Sequence, residues 1–124
     1  MKLTSMLTFA TLALSTQAFS MPNDVVFNAM EVKYPTTLGT KLYDCLTCHT
    51  KEKWGRNAYG NDLNNYLLDH VTDPNTDSSM YTTEFIVEAM TAVDAMDSDG
   101  DGFSNKAEFE AGTFPGDASD VPSL

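Results

Sequence analysis

Cysteine is almost absent from this chain: 124 residues contain two, Cys45 and Cys48. A pair three positions apart closes too small a loop to restrict the unfolded chain. This argues against the disulfide framework on which small exported domains commonly rely. Cations are scarce as well. Seven lysines and arginines stand against eighteen aspartates and glutamates, a formal net charge of −11. A surface of that sign repels phosphate backbones and anionic lipid, so neither nucleic acid nor a membrane surface is expected as a partner. Sustained period-two alternation is missing, which removes the sheet and with it the βαβ setting of a thioredoxin-like redox pair. The one long apolar run, Leu3 to Ala18, is interrupted by Thr, Ser and Gln, too short and too polar for a membrane span.

That run has another use. Lys2, the apolar stretch and the small residues Ala18 and Ser20 have the layout of a secretory signal peptide, with cleavage expected after Ser20 or, nearly as well, after Ala18. The expectation is a leader over residues 1–20 and a single periplasmic or secreted domain over residues 21–124, with net charge −12 once Lys2 is removed. A domain of this size buries only a little over ~60% of its unfolded surface and benefits from a further constraint on its fold.

Helical periodicity dominates the rest. Asn23 or Asp24 can cap a short helix over Val25 to Lys33, which Pro35 ends. Leu38, Leu42, Cys45, Leu46 and His49 form a second stripe, and Tyr59, Leu63, Tyr66, Leu67 and His70 a third. Phe85, Ile86, Ala89, Met90, Val93 and Met96, behind a cap at Thr82 or Thr83, form a fourth. Met30, Met90 and Met96 are read as core filling. The predicted class is all-α.

The two cysteines lie in "YDCLTCHTKEKW" and are followed at once by His49. Zinc usually takes two such pairs, and with only His70 outside the motif a closed site would need a carboxylate. Covalent c-type haem asks for this compact set: two thiols to join the porphyrin edge and an imidazole, within one turn, to reach the iron. Two buried cysteines beside an incidental histidine are the plain alternative. Trp54 either packs in the core or donates its indole N–H to a haem propionate. Lys51, Lys53 and Arg56 either pair with propionates, dock an acidic redox partner, or form a solvated face.

The second motif is "DSDGDGFSNKAE", residues 97–108. Asp97, Asp99, Asp101, Asn105 and Glu108 occupy positions 1, 3, 5, 9 and 12 of the EF-hand calcium loop, with Gly102 at position 6 and the Phe103 carbonyl at position 7. A hard cation needs six to eight oxygens, and alternate residues of a turning loop point them inward. Without a cation the aspartates would repel one another. Gly112 reads as the stop of the exit helix, followed by an ordered turn and a loose tail.

"CLTCHT" at residues 45–50, with the apolar segment leading into it, resembles the small single-haem c-type cytochromes of bacteria. The continuation "SNKAEFEAGTFPGD" is similar to thrombospondin-type-3-like and dockerin-like calcium repeats. The order Tyr-Pro, Cys-X-X-Cys-His-Thr, Asn57-X-Tyr59-Gly60 and then the acidic loop resembles a group of exported bacterial proteins with one haem and one such loop. The resemblance implies a cytochrome c-like helical domain around one haem c and one calcium ion. Electron transfer with other redox proteins, rather than catalysis, is the implied activity. It also implies a methionine from a loop as the distal iron ligand, which points to Met80, with His70 at the end of the third stripe as the runner-up. A haem enzyme or sensor with an open iron position, and a haem-free calcium module, are the rival functions.

Overall fold

The computed structural model describes residues 22–52, 55–71 and 78–123. The expected leader, Lys53, Trp54 and the stretch 72–77 lie outside the described residues. Among the described residues there are four helices: α1 (Asn23–Lys33), α2 (Ala58–His70), α3 (Thr83–Ala92) and α4 (Asn105–Ala111). Single 3₁₀ turns cover Pro35–Thr37, Cys45–Thr47 and Ser78–Met80, and an isolated antiparallel bridge joins His49 and Arg56. No strand accompanies them, so the chain is all-α over these residues. No helix among them is long and apolar enough to cross a membrane.

Each helix starts and stops for a local reason. The α1 helix begins after Pro22 without a side-chain cap and ends at Tyr34, which leaves the helical region (φ −131°, ψ 67°) ahead of Pro35, as the residue before a proline is disfavoured there. Asn57 caps α2 by accepting the Gly60 N–H at 2.9 Å. Thr82 caps α3 by accepting the Phe85 N–H at 3.2 Å, and Ser104 caps α4 through the Ala107 N–H. Gly112 closes α4 in the left-handed region at φ 80°, where a Cβ would be strained.

The core is built around α3. Its Ile86, Ala89, Met90 and Val93, one helical face, are buried. Both α1, through Ala29 and Met30, and α2, through Tyr59, Leu63 and Leu67, contribute to the same cluster and pack on α3.

One expected helix is not there. The second apolar stripe, residues 38–49, folds as successive tight turns. Gly39 sits at φ 74°, and the Thr37, Thr40 and Thr47 hydroxyls donate to the carbonyls of Tyr34, Thr37 and Leu42, each at 2.7 Å. Short hydroxyl side chains that bond the nearby backbone compete with an α-helical ladder, and here they win. Leu42 is fully buried while Leu38 is 48% exposed, so the stripe is not one face. Met96 lies beyond the end of α3 and is exposed, unlike the buried Met30 and Met90.

Leu63→Ala should destabilise the protein by about 2–5 kcal/mol, since the site is walled by neighbours that cannot collapse into the space. Leu68→Ala, on the 59% exposed side of the same helix, should change stability by less than about 0.5 kcal/mol. Urea unfolding of the two variants checks the assignment of faces; equal losses would contradict it.

Candidate functional site

The Cys45–Thr47 turn is held from outside itself. Asp44 caps it by accepting the Leu46 N–H at 2.9 Å, and the His49 N–H reaches back to the Cys45 carbonyl at 2.9 Å. The remaining carbonyls are taken by one residue. Asn57 Nδ2 donates to the carbonyls of Leu46 and Thr47, each at 3.0 Å, and its backbone N–H donates to the Cys48 carbonyl at 2.9 Å. Its Oδ1 meanwhile caps α2. Gly60, one turn into that helix, lies so close that a Cβ there would stand 2.1 Å from the Cys48 carbonyl oxygen. Only glycine permits this approach.

The turn thus presents two half-buried thiols and a half-buried imidazole together, and the thiols are not joined to each other. Burial, reinforced by Cys45, pushes the Cys48 thiol up to about 12, opposite to the lowering that activates a redox thiol. The bridge between His49 and Arg56, and the Thr50 N–H donating to the Gly55 carbonyl at 2.7 Å, bring the two ends of the following loop together. Its Lys51 and Arg56 are exposed. Beside Cys48 and Gly60, the Tyr59 hydroxyl is fully buried without a hydrogen-bond partner. Burial first, and then the nearby Cys48, Tyr34 and Asp94, raise it well above the ordinary tyrosine value.

Of the two candidate distal ligands, Met80 ends the Ser78–Met80 turn and is 40% exposed. His70 is exposed in the last turn of α2, stacked on Tyr66 at 3.9 Å between ring centroids. Its Nδ1 lies 2.8 Å from the Tyr66 carbonyl. A carbonyl can only accept, so the Nδ1 end of the ring is the donor in this contact.

The acidic loop is organised by its own backbone. Asp97 Oδ1 accepts from the N–H groups of Gly100 (2.8 Å) and Asp101 (3.1 Å), and its Oδ2 from Gly102 (2.8 Å). One oxygen each of Asp99 and Asp101 accepts from Asp101 (3.2 Å) and Phe103 (2.8 Å). Gly100 and Gly102, at φ 77° and 100°, allow the turn. The result is a set of ligand oxygens, one each from Asp97, Asp99 and Asp101, within 4.8 Å of one another. Four oxygens are left buried and without partners: Asp99 Oδ2, Asp101 Oδ2 and both carboxylate oxygens of Glu108. Glu108 is fully buried, and among the described residues no lysine or arginine pairs with it or with the three aspartates. Burial, then the charges of Asp99, Asp101 and Asp97, push Glu108 up to about 8, with Thr113 pulling weakly the other way. Burial also raises Asp99; the Asp101 N–H opposes this, and the charges of Asp101 and Asp97 add to it.

Asn105, expected at loop position 9, also bonds within the protein. In its fully buried side chain, Nδ2 donates to the Val93 carbonyl (2.7 Å) and Ser98 Oγ (2.8 Å), and Oδ1 accepts from the Ser98 N–H (3.2 Å). It ties the loop to the end of α3.

Two sets of contacts missed in sequence join the loop region and α4 to the end of α1 and to α2. Asp94, just after α3, accepts from Lys33 Nζ at 2.6 Å and from the Tyr34 hydroxyl, while its carbonyl accepts the Lys106 N–H at 3.0 Å. Phe109 of α4 stacks on Tyr34 (4.1 Å between centroids) and meets Tyr59 edge-on (5.4 Å). The Tyr-Pro and Asn-X-Tyr-Gly segments were the available signals, but a tyrosine does not announce its partner.

In chelator, the melting temperature should fall as pH is raised from below 4.5 to above 8. Glu108 takes a proton more readily folded than unfolded, so its contribution is fully present below the unfolded value of 4.5 and lost as pH rises through about 8. Glu108→Gln should flatten that profile, and a flat wild-type profile would contradict the buried cluster. Comparison of the chain with protein-family models, curated proteins and solved structures finds no match.

Proposed function

We propose that this protein is an exported single-electron carrier, holding one covalent c-type haem on Cys45, Cys48 and His49 and one structural calcium ion in the 97–108 loop. The observation that carries the haem reading is the turn itself. Its carbonyls are pinned by Asn57 and its backbone is packed against Gly60, and it carries two thiols not joined to each other, followed at once by an imidazole. This donor set fits a c-type haem: each thiol would add its S–H across a vinyl group, and His49 would supply a nitrogen to the iron. The iron of such a haem supplies a one-electron couple whose potential depends on its axial ligands. The turn's task is to orient those donors, and the unpartnered Tyr59 hydroxyl beside Cys48 is a hydrogen-bond donor available to a bound group. Met80 is the proposed distal ligand, with His70 as the alternative.

Four buried, unpartnered carboxylate oxygens with no lysine or arginine paired to them support the calcium reading. Such burial of like charge is costly unless a cation enters. The ligands proposed are Asp97, Asp99, Asp101, the Phe103 carbonyl, Asn105 at position 9 and Glu108, with Asn105 also holding the loop's ends together.

Protein matured with a cytochrome c assembly system should stain for haem peroxidase activity on a denaturing gel, and the double change of Cys45 and Cys48 to Ala should abolish the stain. An unstained wild-type band overturns the haem reading. In stained protein, a near-infrared charge-transfer band lost in Met80→Ala assigns Met80, whereas its absence from wild type moves the assignment to His70 or to an open site.

Calcium at a hundredfold excess over its Kd should add about 2.7 kcal/mol to unfolding. Melting with and without chelator reads this, and Glu108→Gln should remove most of the difference. Identical curves in both conditions would leave the loop without a cation.

A further inference from the structure

The segment that follows α4 is built against the cysteine turn. Gly112 reverses the chain, and the Thr113 N–H donates to the carbonyl of Glu108 at 3.0 Å. The residue that places its carboxylate in the acidic loop therefore also anchors the start of this segment. Pro115 is fully buried, and Gly116 rests on Asn57 so closely that a Cβ would lie 2.4 Å from the Asn57 side-chain Cγ and Oδ1. Asp120 closes the segment by accepting the Phe114 N–H at 2.8 Å and pairing with Lys41 Nζ at 2.6 Å, just upstream of the cysteines. Lys41 also sits over the Phe114 ring, 5.1 Å from its centroid. Ser119 chiefly, with Lys41 and Lys51 adding their charge, holds Asp117 below the ordinary carboxylate range.

We propose that residues 113–120 form a clasp that makes Asn57 a positioning residue under calcium control: cation in the acidic loop seats α4, α4 seats the clasp, and the clasp holds Asn57 on the Leu46, Thr47 and Cys48 carbonyls. The inference rests on the calcium and haem sites proposed above and gives the connection between them. With the loop empty, four unpartnered buried oxygens on the Asp99, Asp101 and Glu108 carboxylates act against the seating of α4. Two contacts depend on that seating: the Phe109 ring on Tyr34 and Tyr59, and Gly116 on Asn57. Binding at the loop then favours one arrangement of the turn by the difference in affinity between the two states.

Hydrogen exchange measured by mass spectrometry on the full matured protein, in calcium chloride and in chelator, tests this whether or not haem is attached. In wild type, calcium should slow exchange of the 45–60 segment, which contains the Asn57 and Gly60 amides, at least tenfold, and by clearly more than it slows α3. Gly116→Ala should keep calcium binding within about threefold, read by titration calorimetry, while losing most of the slowing. Asp120→Ala, which removes only the Lys41 and Phe114 contacts, should lose part of it and serves if Gly116→Ala does not fold. Equal slowing of α3 and the 45–60 segment would mean general stabilisation and overturn the clasp. So would slowing that persists in both variants, or no response to calcium. The haem stain on the same samples separately decides the electron-carrier reading.

Discussion

Three consecutive carbonyls, of Leu46, Thr47 and Cys48, all bond to Asn57. That arrangement is the constraint around which the rest of the described structure is placed. A 3₁₀ turn of three residues has too few internal hydrogen bonds to hold two thiols and an imidazole in a fixed relation. Asn57 supplies the missing bonds and uses its remaining acceptor to start α2, so the turn and the helix are set by one side chain. The Gly60 contact then removes the space in which the turn could shift. The position of side chains on a short turn is only as well defined as the groups that support it from behind.

The acidic loop poses the opposite problem. Its backbone bonds are well satisfied, yet they gather carboxylates around the fully buried, unpartnered Glu108. Local order is obtained at the expense of electrostatic repulsion, and the balance changes when a cation is present. Phe109, the residue after Glu108, lies against Tyr34 and Tyr59. The loop's electrostatics are therefore felt in the aromatic contacts between α1, α2 and α4. Asp94 adds a second tie, joining Lys33 and Tyr34 at the end of α1 to the backbone of Lys106. For a domain of this size, with a small core, such ties carry a large share of cohesion.

The all-α class, helices at three of the four expected segments, the cap at Thr82 and the stop at Gly112 follow from local rules: periodicity of 3.6, short polar side chains before a helix, and glycine in the left-handed region. The spacing of Asp97, Asp99 and Asp101 likewise determines that their oxygens meet, since alternate residues of one short loop need no distant partner. Residues 38–49 were not legible in this way. Their apolar spacing suits a helix, but the threonine hydroxyls and Gly39 favour turns, and only packing that buries Leu42 and exposes Leu38 decides between them. Tertiary structure alone also determined that Asn57 would hold the cysteine turn, that Asn105 would tie the loop to α3, and that Gly116 would lie on Asn57. Each of these joins residues nine or more apart in the chain, and a pattern read along one segment does not contain what a second segment brings against it.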